Sequence, residues 1–188
     1  MRTFTAVLES RSAYSQSRRH DLPKLNKESD TAYDARTWRD HCTVNKDGIV
    51  CIPAMAFKKA IDRTAQKLGE KVPGRRGATW AGYFKGGIIP MEELFPIGIK
   101  VEDVQPLSVW CSSTGRPGGS QVSRTYPIIP KWTATVEFEV LDNILPEEVI
   151  ERTLSESGLI VGIGRFRPEN GGFNGRYAVK SVKWSNGL

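Results

Sequence analysis

The sequence predicts an α+β fold built on an antiparallel sheet. Segments in which apolar and polar residues alternate stand near both ends of the chain, and two segments with helical apolar spacing lie between them. The 188 residues are 39% hydrophobic and 26% charged, and these ordinary values exclude a disordered, collagen-like or disulfide-dense chain. We therefore expect one domain over residues 1–188.

The first half of the chain predicts two strands and one clear helix. Phe4 to Glu9 alternates as a half-buried strand does, whereas the insertion at about 10–47 is polar. Pro53 can open a helix and Gly69 can close it, and the apolar residues between them share one face. In order, we expect a strand at Phe4–Glu9, a short helix near Asp34–His41, a strand at Ile49–Ile52 and a helix at Pro53–Gly69.

The second half predicts several strands around one further helix. Trp132 to Val140 alternates most clearly, and Pro146 begins a helix with acidic residues in its first turn. We read residues 111–131 as an inserted, flexible, Gly-rich flap. The expected strands are Thr79–Ile89, Ile97–Val104, Leu107–Cys111, Trp132–Val140, Leu159–Phe166 and Tyr177–Trp184, with the helix at Pro146–Gly158.

This order of elements fits a ferredoxin-like βαββαβ core with large loop insertions. In that arrangement, four antiparallel strands carry both helices on one face. We expect Phe57, Ile61, Leu68, Ile150 and Leu154 to fill the space between helices and sheet.

The positive charge of the chain is concentrated in a few segments. There are 27 Lys and Arg residues against 21 Asp and Glu residues, and the formal charge is +6. Cations interleaved with aromatic residues and glycines are typical of surfaces that bind a single nucleic-acid strand. Solvated basic loops are the alternative. The residues expected to contact phosphates are Lys58, Lys59, Arg63, Arg116, Arg124, Arg165, Arg167 and Arg176, and those expected to stack on bases are Trp38, Tyr126 and Phe173.

The segment Gly162 to Arg176, GIGRFRPENGGFNGR, is the most informative local motif. Its five glycines permit turns that leave N–H groups uncovered, and its three arginines can donate to phosphates as bidentate forks. Because few acids lie nearby, we expect these arginines to be under-paired. The alternative is a structural hairpin in which they pair with Glu169.

The sequence does not indicate catalytic or metal chemistry. His20 and His41 are the only histidines, the three cysteines form no CxxC pair, and no known catalytic or phosphate-loop motif is present. We expect no metal and no cofactor. No apolar run is long enough to cross a bilayer, so we also expect no membrane partner.

Three segments resemble the RAMP superfamily of CRISPR-associated RNA-binding proteins. They are MRTFTAVLESRSAYS at the N-terminus, IVCIPAMAFKKAID at Ile49–Asp62 and the glycine-rich GIGRFRPENGGFNGRY. From Trp38 onward, the combination of WRDH, IPA with its basic helix, GSxVxRxYPxIPxW and GIGRFRPExGGxxGR is also similar to small bacteriophage-encoded proteins. Ala54 departs from the superfamily pattern, which has glycine after the IP pair. The resemblance implies a ferredoxin-like, RRM-related fold that binds single-stranded RNA by its backbone, often as copies side by side.

We therefore expect a non-enzymatic, phage-type protein of the host cell cytoplasm that binds a single nucleic-acid strand, RNA in preference to DNA. Possible protein partners are further copies of the chain or a host CRISPR complex. One alternative is a metal-independent riboendonuclease that uses His20 or His41. The other is an anti-defence protein that mimics a CRISPR backbone subunit.

Overall fold

The computed structural model describes residues 2–112 and 119–186. The strands are β1 Arg2–Ser10, β2 Tyr14–Ser15, β3 Ile49–Pro53, β4 Ile88–Pro90, β5 Leu94–Lys100, β6 Gln105–Ser112, β7 Gln121–Ile129, β8 Thr133–Val140 and β9 Tyr177–Asn186. The α-helices are α1 Asp30–Thr37, α2 Ala54–Leu68, α3 Trp80–Gly87 and α4 Glu147–Glu156. Within these ranges, no helix has the length and apolar character needed to cross a bilayer.

The main sheet has four strands in the order β4-β8-β1-β9, and every neighbouring pair is antiparallel. Phe4 of β1 lies opposite Phe138 on one side and Trp184 on the other. Helix α2 lies in the chain between β1 and β4, and α4 lies between β8 and β9. This is the predicted ferredoxin-like arrangement, so the fold prediction is confirmed.

Alternation along β1 determines which face of the sheet is covered. Phe4, Ala6 and Leu8 are fully buried, whereas the residues between them are partly exposed. The buried face belongs to the same core as Phe57 of α2 and Ile150 of α4, and the two helices pack against each other. Burying a large apolar side chain contributes roughly 1.5–3 kcal/mol, so these contacts fix both helices on one face.

The other five strands form two smaller sheets. β3 pairs with β5, and β7 lies between β2 and β6. Strand β7 pairs with β6 along the whole length of β6, and the two strands form a hairpin. The prediction of a flexible flap is therefore wrong for the residues that form β7. Arg116 lies outside the described residues.

Two further predicted strands are wrong. Thr79 to Ile89 is mainly helix α3, because Trp80 and Phe84 bury one helical face. Residues expected to form the strand Leu159–Phe166 instead extend α4 by a π turn, Ser157–Val161, and then enter the glycine-rich loop. The strand expected at Ile97–Val104 begins earlier, at Leu94, and ends at Lys100.

Candidate nucleic-acid interface

The glycine-rich loop, residues Gly162 to Arg176, is anchored to the N-terminal segment. The N–H of Arg165 donates to the carbonyl of Ser15 at 2.9 Å, and the N–H of Gly175 donates to that of Ala13 at 2.7 Å. The N–H of Ile163 donates across the loop to the carbonyl of Gly175 at 3.0 Å. These three amides are therefore satisfied within the protein and are not available to a phosphate.

Two glycines of this loop allow close backbone contacts. Gly164 has φ +74° and Gly175 has φ +71°. A Cβ on Gly164 would lie 2.4 Å from the carbonyl oxygen of Ser15, and a Cβ on Gly175 would lie 1.7 Å from that of Ile163. At these positions glycine is needed because two backbone segments pack closely together. The expected reason was different, namely that glycine leaves N–H groups open to a phosphate.

Phe166 and Phe173 present aromatic rings to solvent from the same loop. Phe166 adopts φ +53°, a strained conformation for a bulky residue, and its carbonyl accepts from the N–H of Asn174 at 2.8 Å. Phe173 is 68% exposed and Phe166 is 40% exposed. Phe173 was expected to stack on bases, whereas Phe166 was missed because its exposure depends on this backbone conformation.

A cleft of about 300 Å³ separates α2 from the glycine-rich loop. Lys59 and Arg63 line it from the exposed face of the helix, and Arg167 lines it from the loop. The fold thus brings together three of the residues expected to contact phosphates, although about a hundred positions separate them in sequence. We refer to this feature as the α2–loop cleft.

Glu169 partly neutralises the α2–loop cleft. Its carboxylate accepts from Nε and Nη2 of Arg167, at 3.2 and 3.0 Å, and lies 3.1 Å from Nε of Arg63. The Glu169 side chain is only 12% exposed, so this acid is part of the cleft wall. The expectation that the loop arginines are under-paired is therefore wrong for Arg167.

Two residues expected at the interface are buried elsewhere. Lys58 is 4% exposed, and its Nζ donates to the Asp62 carboxylate and to the carbonyls of Phe84 and Lys85. Trp38 is 7% exposed beneath the Arg39 guanidinium. Neither side chain presents a free group to a strand, because both are enclosed by the protein.

Arg124 and Arg176 lie apart from the cleft. Arg124 donates to the Asp34 carboxylate at 3.0 Å, and this hydrogen bond raises the pKa of the guanidinium further above its already high value. Arg176 is partly exposed, and its guanidinium has no hydrogen-bond or ion-pair partner among the described residues. Of these two guanidinium groups, only that of Arg176 is available to bind a phosphate.

A column of rings joins the N-terminal insertion to the hairpin and the glycine-rich loop. The His20 ring centroid lies 5.9 Å from that of Tyr33 and 4.7 Å from that of His41, and His41 lies 5.7 Å from Tyr126. The Arg165 guanidinium stacks 3.4 Å from the centre of the Tyr126 ring. The face of Tyr126 that the Arg165 guanidinium covers is therefore not open to a base.

The two histidines are in contact, which sequence analysis did not foresee. Nδ1 of His41 lies 2.8 Å from the carbonyl oxygen of Arg18. A carbonyl only accepts, so Nδ1 carries a proton and Nε2 of the neutral ring is a free base. Across the described part of the chain, no three His, Cys, Asp or Glu side chains are placed to hold a metal ion.

Comparison with known proteins identifies the fold. No protein-family model and no curated protein match the sequence. A chain from the cryo-EM structure of the type III-B Cmr-beta bound to cognate target RNA is similar over 97% of this chain and 60% of its own length, with 14% identity and a TM-score of 0.51. The present chain thus spans about 60% of the length of that protein.

Two other solved structures are similar to this chain with lower TM-scores. Cmr6 from Pyrococcus furiosus gives a TM-score of 0.49 with 13% identity, covering 95% of this chain and 98% of that chain. A chain of a CRISPR RNA-guided surveillance complex gives 0.41 with 9% identity, covering 95% and 67%. The similarity to the Cmr-beta chain, at 14% identity, shows a shared fold and is limited to the fold.

Proposed function

We propose that this protein binds single-stranded RNA through the α2–loop cleft. The observation that carries the proposal is the convergence of Lys59, Arg63 and Arg167 on one cleft, from a helix and a loop that are distant in sequence. Cations along a groove attract a phosphate backbone by releasing its counterions, whatever the base sequence. The binding we propose is therefore salt-dependent and nearly indifferent to sequence.

Aromatic rings beside the cleft supply the second component of the proposed binding. Phe173 and Phe166 are exposed on the loop that carries Arg167. Stacking of a base on an aromatic ring contributes about 1–3 kcal/mol and tolerates any base. In this proposal, bases of a strand whose phosphates lie in the cleft stack on these rings.

RNA is the preferred nucleic acid in this proposal. The Cmr-beta structure that shares this fold is bound to target RNA. The resemblance to the RAMP superfamily supports RNA as the partner and side-by-side assembly along the strand, and the similarity to phage proteins supports a phage origin. We propose both of these finer points together with RNA binding.

The test is a titration of a fluorescent 12-nucleotide uridine strand, measured by anisotropy at several salt concentrations. The variant Lys59→Gln/Arg63→Gln removes two cleft cations, so we expect binding at least about tenfold weaker and a log–log salt slope shallower by about 1.4. The control Lys67→Gln/Lys71→Gln removes the same charge from exposed positions outside the cleft. Equal weakening by both variants would refute the cleft as the binding site. A deoxyuridine strand of the same length tests the preference for RNA.

The contact between His20 and His41 favours a second candidate function, metal-independent cleavage of RNA. His41 Nε2 would accept the proton of a ribose 2′-hydroxyl as that oxygen attacks the phosphorus. His20, when protonated, would donate to the departing 5′-oxygen. The P–O5′ bond would break, leaving a 2′,3′-cyclic phosphate and a 5′-hydroxyl.

Cleavage of a labelled RNA separates the two functions. If the protein only binds, the labelled strand stays intact after long incubation with an excess of protein. If it cleaves, fragments with cyclic ends appear, and they disappear with His41→Ala and with a strand whose 2′-hydroxyls are all absent. Fragments that persist in His20→Ala and His41→Ala variants would exclude this pair as the catalytic site.

A further inference from the structure

A second pocket, of about 360 Å³, lies next to the ring column. Arg18 and His20 line it from the N-terminal insertion, and Arg39 lines it from the 3-10 turn Trp38–His41. None of the residues that line the α2–loop cleft lines this pocket. Any ligand of this pocket is therefore bound independently of the cleft.

The protein holds the Arg18 backbone and the Arg39 guanidinium of the pocket in place. The N–H of Arg18 donates to the carbonyl of His41 at 3.0 Å, and the His41 ring donates back to the carbonyl of Arg18 at 2.8 Å. The Arg39 guanidinium stacks 4.4 Å from the centre of the Trp38 ring. Among the described residues, neither arginine forms an ion pair, so both guanidinium groups keep donors for an anion.

His20 adds a directed donor to the pocket. Its Nδ1 is enclosed and has no hydrogen-bond partner in the described structure. The ring can therefore meet a ligand only through Nε2. An N–H at that position would donate to an anion.

The remaining walls do not oppose an anion strongly. Burial raises the pKa of the Cys42 thiol to about 11, so this group is neutral at physiological pH. Val44 and Val101 form an apolar wall, and Asp40 is the single acid that lines the pocket. The volume is in the range of pockets that hold small molecules, and it exceeds the needs of a simple ion.

We propose that this pocket binds a phosphate monoester, with Arg18, Arg39 and His20 Nε2 as the donors. The monoester belongs to a mononucleotide or to the phosphorylated end of a strand. An end has more negative charge and more free oxygens than an internal phosphodiester, and paired guanidinium forks suit those oxygens. The apolar wall would lie against the attached nucleoside.

Calorimetric titration of the full-length protein with adenosine 5′-monophosphate and with inorganic phosphate tests the proposal. We expect adenosine monophosphate to bind, and its affinity to fall at least tenfold in Arg18→Gln/Arg39→Gln, because two charge-assisted contacts are lost. The control Arg19→Gln/Arg76→Gln removes two exposed arginines outside the pocket and should bind as the unchanged protein does. Because Arg39 packs on Trp38, Arg18→Gln alone serves if the double variant does not fold.

Failure of the pocket proposal can be distinguished from failure of RNA binding through the cleft. Lys59→Gln/Arg63→Gln should lose RNA affinity and keep adenosine monophosphate affinity. RNA strands with a 5′-phosphate, a 3′-phosphate or two hydroxyl ends then identify the source of the monoester, and only a strand with a matching end should compete with adenosine monophosphate. No heat of binding with either phosphate compound, or equal binding by the Arg18→Gln/Arg39→Gln variant, would overturn the pocket assignment.

Discussion

Replacing Glu169 with Gln should tighten RNA binding, although the residue itself has the wrong charge to contact RNA. The Glu169 carboxylate pairs with both Arg63 and Arg167, the two guanidinium groups of the α2–loop cleft. In Glu169→Gln these groups lose their anionic partner and become available to phosphates. The amide oxygen of Gln can still accept one hydrogen bond, so the loop keeps part of its support.

The size of the effect follows from the number of phosphates neutralised. Each added phosphate contact steepens the log–log salt slope for a single strand by about 0.7, so two freed arginines steepen it by up to about 1.4. We expect binding about three- to tenfold tighter near 0.1 M salt, with a larger gain at lower salt. The Arg63 side chain is 62% exposed, so loss of its ion pair lowers the free energy of unfolding only slightly. Loss of the more enclosed Arg167 pair adds to this, and we expect a total destabilisation of about 1–2 kcal/mol.

Anisotropy titrations between 50 and 200 mM salt measure both quantities, and urea unfolding measures stability. Glu102→Gln is the matched control, because it makes the same change of net charge at an exposed residue that pairs only with Lys100 among the described residues. If Glu169→Gln binds no more tightly than Glu102→Gln, and the two salt slopes agree, the strand does not lie in the α2–loop cleft.

Three further predictions concern stability. Gly175→Ala should cost more than 3 kcal/mol in urea unfolding, because its Cβ would overlap the Ile163 carbonyl, whereas Gly171→Ala, with φ +76° and open space, should cost about 1–2 kcal/mol. Lys58→Ala should destabilise the protein by several kcal/mol in the same assay, because it leaves Asp62 and two carbonyls unpaired, whereas Lys59→Ala should leave stability unchanged and weaken RNA binding. The free energy of unfolding should fall between pH 9 and pH 11, because burial raises the pKa of Cys42 to about 11; this stabilisation is complete below the unfolded value of 9.0 and is lost as pH rises through 11.

Each of these predictions has a clear contrary result. Equal losses for the two glycine variants would mean that positive φ, and not the carbonyl contact, sets the cost. Comparable stability of the two lysine variants would contradict the burial of Lys58. For the alkaline transition, Cys42→Ala should make the pH dependence shallower without removing it, because burial also raises the pKa of Cys51, Tyr14 and Tyr177. An unchanged profile would show that Cys42 does not contribute.

Local patterns were sufficient to predict three of the four strands of the main sheet, β1, β8 and β9, but not the short β4. The alternation of β1 and β8 and the apolar stripe of α2 follow from side chains that share one face, so a short window of sequence contains the signal. Helix α3 was missed because Trp80, Tyr83 and Phe84 also have high strand propensity. Its helical form depends on which of these rings the core accepts, and tertiary packing decides that.

The candidate site was predictable in part. Lys59, Arg63 and Arg167 were expected at the interface on grounds of charge, and the structure places them around one cleft. Lys58 and Lys59 are adjacent in sequence and have the same charge, so the sequence does not distinguish them. Only the position of α3 shows that Nζ of Lys58 is enclosed. The pairing of Glu169 with Arg63, and the contact of His20 with His41, join residues from separate elements, so no local pattern contains them.

The central position of β1 has a consequence for how the protein is made. This strand is synthesised before β8 and β9, which begin at Thr133 and Tyr177 and pair with it. Its buried face, with Phe4 and Leu8, therefore has no partner strand until the chain has been made beyond residue 133. Such long-range pairing slows folding and exposes apolar surface in the meantime. The main sheet is accordingly complete only once β9 has been synthesised, and a nascent chain halted before Tyr177 has β1 as an unpaired sheet edge.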